Sequence, residues 1–188
     1  MDDLDNRVRF KRINRRLVVS AYDCIGTLVT ALIVLSLLLA YAFRIVGVDG
    51  KSMLPTLKDG DMLLLNTYDP TYSRGDVVVV ERYTDKPLIK RVIAIGGDTI
   101  SIDDNGVVTV NGKVLKESYI QGVTVRNDFP KDTTMTIPKG SLFVMGDNRI
   151  SASSSLDSRS EEIGLISVKD VVGKATLRVW PIQSIGRV

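Results

Sequence analysis

The 188-residue chain contains no histidine. That excludes every Ser-His and Cys-His catalytic pair and every histidine-ligated metal. Cysteine is nearly absent too: Cys24 stands alone, so neither an intrachain disulfide nor a thiolate metal cluster can form. The charge is close to balanced, with 25 Lys and Arg against 22 Asp and Glu, for a net of +3. Arg7, Arg9, Lys11, Arg12, Arg15 and Arg16 crowd the N-terminus, and no later stretch carries a comparable basic run. With no helix-turn-helix or other nucleic-acid module in view, no nucleic-acid partner is expected. A hydrolase built from this chain must work with Ser, Thr, Lys, Asp, Glu or Tyr, or with a carboxylate-bound metal.

What is present begins with an uncharged run from Cys24 to Phe43. A helix of that length spans about 30 Å, the thickness of a bilayer core. Residues 1–23 form a basic segment before it, with a short surface helix expected over Phe10–Ser20. The basic residues precede the run and only Arg44 follows closely, which by the positive-inside rule puts the N-terminus in the cytoplasm and residues 44–188 outside. Ala40-Tyr41-Ala42 also has the small-x-small form of a signal-peptide cleavage site, although the run exceeds the ~7–15 residues of a signal-peptide core.

From Met62 the pattern changes to strand length. Met62–Leu65, Val77–Tyr83, Leu88–Ile95, Thr99–Ile102, Val107–Val110, Lys113–Leu115, Ser141–Met145 and Val171–Trp180 are short runs rich in Val, Ile, Leu and Thr. Gly and Asn turn signals separate them, and Asn105-Gly106 and Asn111-Gly112 mark successive tight hairpins. No long helical period follows the apolar run. The expected fold is all-β: a two-sheet antiparallel domain over 44–188, with 98–138 as a small β lobe.

Three stretches carry the chemistry. Gly50-Lys51-Ser52-Met53-Leu54-Pro55-Thr56-Leu57 presents a hydroxyl ahead of a proline, which predicts a stiff, extended turn. In Leu88-Ile89-Lys90-Arg91-Val92-Ile93-Ala94-Ile95, two cations sit side by side within an apolar strand, on opposite faces. At least one must be held among apolar neighbours or tied to a carboxylate. A desolvated lysine loses pKa and becomes a usable base, whereas arginine suits a structural ion pair. Lastly, Gly146-Asp147-Asn148-Arg149 and Ser155-Leu156-Asp157-Ser158-Arg159 flank a serine-rich gap, a pattern that suggests carboxylate–guanidinium pairs pinning a loop.

Together and in this order, these stretches resemble the catalytic domain of bacterial type I signal peptidases, the membrane-anchored Ser-Lys proteases. The resemblance includes Gly60-Asp61, Arg74-Gly75-Asp76-Val77, Gly96-Gly97-Asp98, Val110-Asn111-Gly112 and Val172-Gly173-Lys174-Ala175. It covers nearly the whole chain beyond the anchor, and the short single-span form looks like that of Gram-positive bacteria. It implies a partly barrel-like antiparallel domain behind a transmembrane anchor. It implies Ser52 as nucleophile and Lys90 as general base, with no metal or other cofactor. Gly50 falls where some members carry an oxyanion hydroxyl. Ser155 matches the serine that orients the lysine, with Ser151, Ser153 and Ser154 nearby. Asp147, Arg149, Asp157 and Arg159 match supporting positions. Met53 lies beside the nucleophile, and Val48, Leu57, Leu88 and Ile89 match the lining of apolar substrate pockets for small residues. The implied partners are secretory preproteins, membrane phospholipid and the nearby export translocon. One departure stands out: the gap from Arg149 to Asp157 is longer than the family's by about three residues.

Overall fold

A computed structural model describes residues 2–68, 71–81, 86–150 and 156–188, with side chains from residue 18 onward. It divides into two units, Met1–Ala42 and Phe43–Val188. The first is one helix, α1 (Asp2–Ala42). The expected separate helix over Phe10–Ser20 is thus part of a single run. No proline interrupts this stretch, and one glycine, Gly26, is too weak a breaker to end it. Val18–Ala42 is long and apolar enough to cross a membrane, with mean hydropathy 2.4. The helix stops one residue before the expected Phe43.

The second unit is all-β. Its main sheet runs in the order β1 (Phe43–Gly47), β2 (Met62–Asn66), β11 (Val171–Trp180), β3 (Val77–Val80), β4 (Leu88–Ile95), β9 (Ser141–Met145) and β10 (Ile166–Ser167), with β12 (Gly186–Arg187) paired to β11. All pairings are antiparallel, and bulges in β11 and β4 bend the sheet. A smaller sheet has the order β7 (Lys113–Val114), β6 (Val108–Val110), β5 (Thr99–Ile102) and β8 (Met135–Thr136). Strands β1, β8, β10 and β12 are absent from the sequence reading. Each is five residues or fewer and is held by its partner rather than by its own pattern. The expected continuation of β3 to Tyr83 runs into residues outside those described.

The turn chemistry is partly as expected. Asn111 and Gly112 both take positive φ, 51° and 72°, and close β6 to β7 in a two-residue turn. At Asn105-Gly106 the loop is longer, because Asp103 Oδ1 accepts from the backbone N–H of Asn105 and of Val107.

Alternation along the strands feeds three apolar clusters. All four valines of β3 are buried: Val77 and Val79 pack with Leu63, Leu65 and Ala175, while Val78 and Val80 pack with Val92, Leu142 and Val144. Both faces of β3 are therefore covered. The third cluster joins the small sheet to the main one, setting Ile100, Ile102, Val108 and Val110 against Ile93, Ala94, Phe143 and Met145. Phe129 meets Phe143 edge to face at 5.7 Å. Each such side chain contributes about 1.5–3 kcal/mol of burial, enough to make β4 and β9 a rigid floor.

Candidate active site

Ser52 lies in the connection between β1 and β2. The segment is a compact coiled turn, not the extended one expected: Leu57 N–H donates to the Met53 carbonyl at 2.9 Å and Leu54 N–H to the Lys51 carbonyl at 3.3 Å. Met53 and Leu57 point inward and join Val48 and Ile89 in one buried cluster, so the turn is anchored by its apolar side chains. Ser52 itself stays half-buried. Leu88, grouped with these residues by sequence, packs instead against the cluster of Val78, Val92 and Val144.

A second set of contacts fastens this turn to residues 146–148. Asn148 N–H donates to the Ser52 carbonyl at 2.9 Å, and Asn148 Nδ2 donates to the Lys51 carbonyl at 3.0 Å. Thr56 Oγ1 donates to Asp147 Oδ2 at 2.5 Å. Gly146 must be glycine here: a Cβ would lie 2.5 Å from the Ser52 carbonyl oxygen. Gly146 is itself locked, since its N–H donates to Asp157 Oδ2 at 3.2 Å and its carbonyl accepts from Arg149 Nε at 2.7 Å.

Lys90 reaches the same place from β4. Arg91 pairs with Met145, so continuing the register by one residue sets Lys90 opposite Gly146, the residue on which Ser52 rests. Lys90 is 2% exposed. Burial pulls its pKa from 10.5 down to about 8, with Asp157 pulling upward, Arg159 downward and Asp147 upward. Neither carboxylate is free to pair with it. Asp157 receives Arg159 Nε at 2.9 Å and Nη2 at 2.8 Å. Asp147 receives Arg91 Nε at 2.8 Å and Nη2 at 2.6 Å. Among the described residues Lys90 makes no ion pair.

The two acid–arginine groupings therefore behave differently. Asp157 and Arg159 pair with each other. Asp147 and Arg149 do not: Asp147 takes Arg91, and Arg149 takes Glu117. Adjacent side chains in the Asp147–Arg149 stretch bond to different elements, which local spacing could not reveal. The expectation for Gly50 also changes. Its φ is +95°, a conformation that disfavours any hydroxyl-bearing residue, and its N–H is already given to Asp59 Oδ1 at 2.8 Å. The Ser52 N–H, by contrast, meets no acceptor among the described residues. Ser155, with Ser151, Ser153 and Ser154, lies outside the described residues. Sequence reasoning missed Thr56, Gly146, Asn148 and Glu117. Thr56, Gly146 and Asn148 lie inside the stretches the sequence singled out, but nothing there gave them a role; Glu117 carried no signal at all.

Chemically, the site offers a partly accessible hydroxyl, a lysine that gives up its proton near pH 8, and a backbone donor with no acceptor among the described residues. β9 meets β4 only from Arg91 onward, so among the described residues Leu88 and Ile89 are paired with β3 alone. That leaves a strand edge beside the hydroxyl, on which an extended peptide can lie.

Residues 21–180 match the family described as signal peptidase, peptidase S26. Signal peptidase I of Bacillus caldolyticus is 34% identical over 166 residues, spanning 81% of this chain and 88% of that protein. Signal peptidase I T of Bacillus subtilis (strain 168) is 34% identical over 172 residues, spanning 84% and 85%. A crystal structure of a signal peptidase I from Enterococcus faecalis V583 aligns with TM-score 0.45 and 27% identity, over 56% of this chain and 97% of that one.

Proposed function

The chain belongs to the peptidase S26 family of signal peptidases, and from that premise we propose that Ser52 and Lys90 form its catalytic dyad. Substrates are exported preproteins, cut after small-x-small sites of the Ala-x-Ala kind. The observation that carries this reading is Lys90, buried with no ion pair among the described residues and, by extension of the β4–β9 register, opposite the glycine that seats Ser52.

In acylation, Ser52 Oγ attacks the scissile carbonyl and its proton passes to neutral Lys90 Nζ. The negative charge that develops on the carbonyl oxygen is met by the Ser52 N–H. As the tetrahedral adduct collapses, the C–N bond breaks and Lys90 returns a proton to the leaving amine, giving the acyl-Ser52 ester. Lys90 then takes a proton from water as the water attacks the ester. That proton goes back to Ser52 Oγ, and the signal peptide leaves as an acid. Side chains on the acyl side of the cut would pack beside the buried apolar cluster of Val48, Met53, Leu57 and Ile89, which leaves room only for small ones.

Charge placement supports a topology with residues 1–23 in the cytoplasm, an anchor through 24–43 and the peptidase domain outside, beside the membrane phospholipid and the export translocon. Purified full-length protein in detergent with phospholipid should cleave a preprotein bearing Ala-x-Ala, with the new N-terminus identified by mass spectrometry. Ser52→Ala and Lys90→Ala should each abolish cleavage. Full activity in either variant sinks the dyad.

A further inference from the structure

The connection between β7 and β8 holds no strand of its own, yet residues 117–124 lie against the floor of the site. Gln121 N–H donates to the Asp147 carbonyl at 2.9 Å, Arg149 N–H donates to the Gln121 carbonyl at 2.8 Å, and Gln121 forms a parallel bridge with Asn148. Glu117 accepts from both terminal nitrogens of the buried Arg149, and Thr124 Oγ1 accepts from its Nη1. Between these, the Tyr119 ring covers the Arg91 guanidinium, with Cζ 4.3 Å from the ring centroid, while Tyr119 Oη donates to Glu117 Oε1 at 3.1 Å.

We propose that residues 117–124 brace the active site, and that Tyr119 is a positioning residue whose ring holds Arg91 on Asp147 and thereby holds the Ser52 turn. The proposal rests on the Ser52–Lys90 reading. The path is short and fully contacted. Tyr119 closes one face of the Arg91 guanidinium, and Arg91 Nη1 donates to the Gly75 carbonyl at 2.7 Å while Nε and Nη2 grip Asp147. Asp147 in turn accepts from Thr56 Oγ1 in the nucleophile turn. An arginine stacked on an aromatic ring is restrained in plane, and a bidentate grip depends on that plane.

Two consequences separate this role from general support of the fold. Without the ring, Arg91 loosens, the Thr56 tether slackens and Ser52 loses its aim, so turnover falls while the apolar pocket is untouched. At the same time the Asp147 carboxylate is less neutralised. The charged groups acting on Lys90 are Asp157 and Arg159 from the 157–159 turn and Asp147 from the end of β9. A freer Asp147 holds the Lys90 proton more tightly, and the acid limb of the pH–rate profile moves to higher pH.

The test uses full-length protein in detergent and phospholipid, a preprotein substrate, and Tyr119→Leu and Tyr119→Met as ringless variants beside Tyr119→Phe and Tyr119→Trp. Protease resistance gives the folded fraction, so rates are expressed per folded molecule, and either ringless variant suffices if the other does not fold. The ringless variants should lose roughly tenfold in kcat, with KM within about twofold and an acid limb shifted upward by about half a pH unit or more. Tyr119→Phe and Tyr119→Trp should keep most of the wild-type kcat. Wild-type kcat and profile in both ringless proteins, a loss with an unmoved profile, or a Tyr119→Phe loss equal to that of Tyr119→Leu would each overturn the positioning role. The dyad is judged separately by Lys90→Ala: an active Lys90→Ala protein indicts the Ser-Lys reading, whereas an inactive one beside wild-type-like ringless variants indicts only the brace.

Discussion

Replacing the buried base should make the protein more stable, and the gain should depend on pH. Lys90 has an ordinary pKa of 10.5 in the unfolded chain and about 8 when folded. Below pH 8 it is protonated in both states, and the folded state bears the full cost of holding the ammonium away from water. At about 1.4 kcal/mol per pH unit, the two values imply a deficit of about 3 kcal/mol at pH 7. Between pH 8 and 10.5 the unfolded chain binds more protons than the folded one, so wild-type stability rises with pH across that window. At pH 10.5 the deficit has shrunk to ~0.4 kcal/mol. Lys90→Met keeps a flexible side chain of similar length and removes the charge. Urea unfolding of the full-length protein in detergent, followed through the single tryptophan, Trp180, reports both proteins. At pH 7 the Lys90→Met midpoint should lie above wild type by about 1–2 M urea, taking a slope near 2 kcal/mol per molar. At pH 10.5 the curves should nearly coincide. Equal separation at both pH values, or a variant less stable than wild type at pH 7, would refute the claim that burial of Lys90 sets its pKa.

Other expectations follow from the same geometry. The kcat/KM of the wild type should fall about tenfold per pH unit below about pH 8, because only neutral Lys90 accepts the Ser52 proton; Lys90→Arg, assayed across the same range, should be inactive at every pH. Gly146→Ala places a Cβ 2.5 Å from the Ser52 carbonyl, so preprotein cleavage should drop by at least about a hundredfold, measured at wild-type KM conditions. Asp157→Ala takes the carboxylate away from the buried Arg159 guanidinium and from the Gly146 N–H, and should cost about 3–5 kcal/mol in urea unfolding.

Much of the fold was legible along the chain. Strands β4, β5, β9 and β11 begin and end where the runs of Val, Ile and Leu do. Their inward faces are fixed by a period of two and their ends by Gly and Asn turns. The helix was legible as a length of uncharged chain. Histidine's absence narrowed the choice of nitrogen base to lysine or the N-terminal amine, and Lys90 inside an apolar strand pointed to the lysine. Those are local properties, carried by neighbours in sequence.

Partner choice was not legible. Asp147 meets Arg91 rather than Arg149, and Arg149 meets Glu117, because the strand order puts β4 beside β9 and folds residues 117–124 across the end of β9. Spacing favours pairs close in sequence, while burial favours whichever cation the register delivers. Nor could the pattern show that Gly50 takes positive φ and gives its N–H to Asp59, or that Gly146 is the seat of Ser52. The sequence by itself determined which residues could do the chemistry: one loop serine and one strand lysine in a chain with no histidine. The tertiary structure alone decided the state in which they stand, since desolvation of Lys90 and the occupation of Asp147 and Asp157 by arginines arise only when four segments distant in sequence close around one glycine.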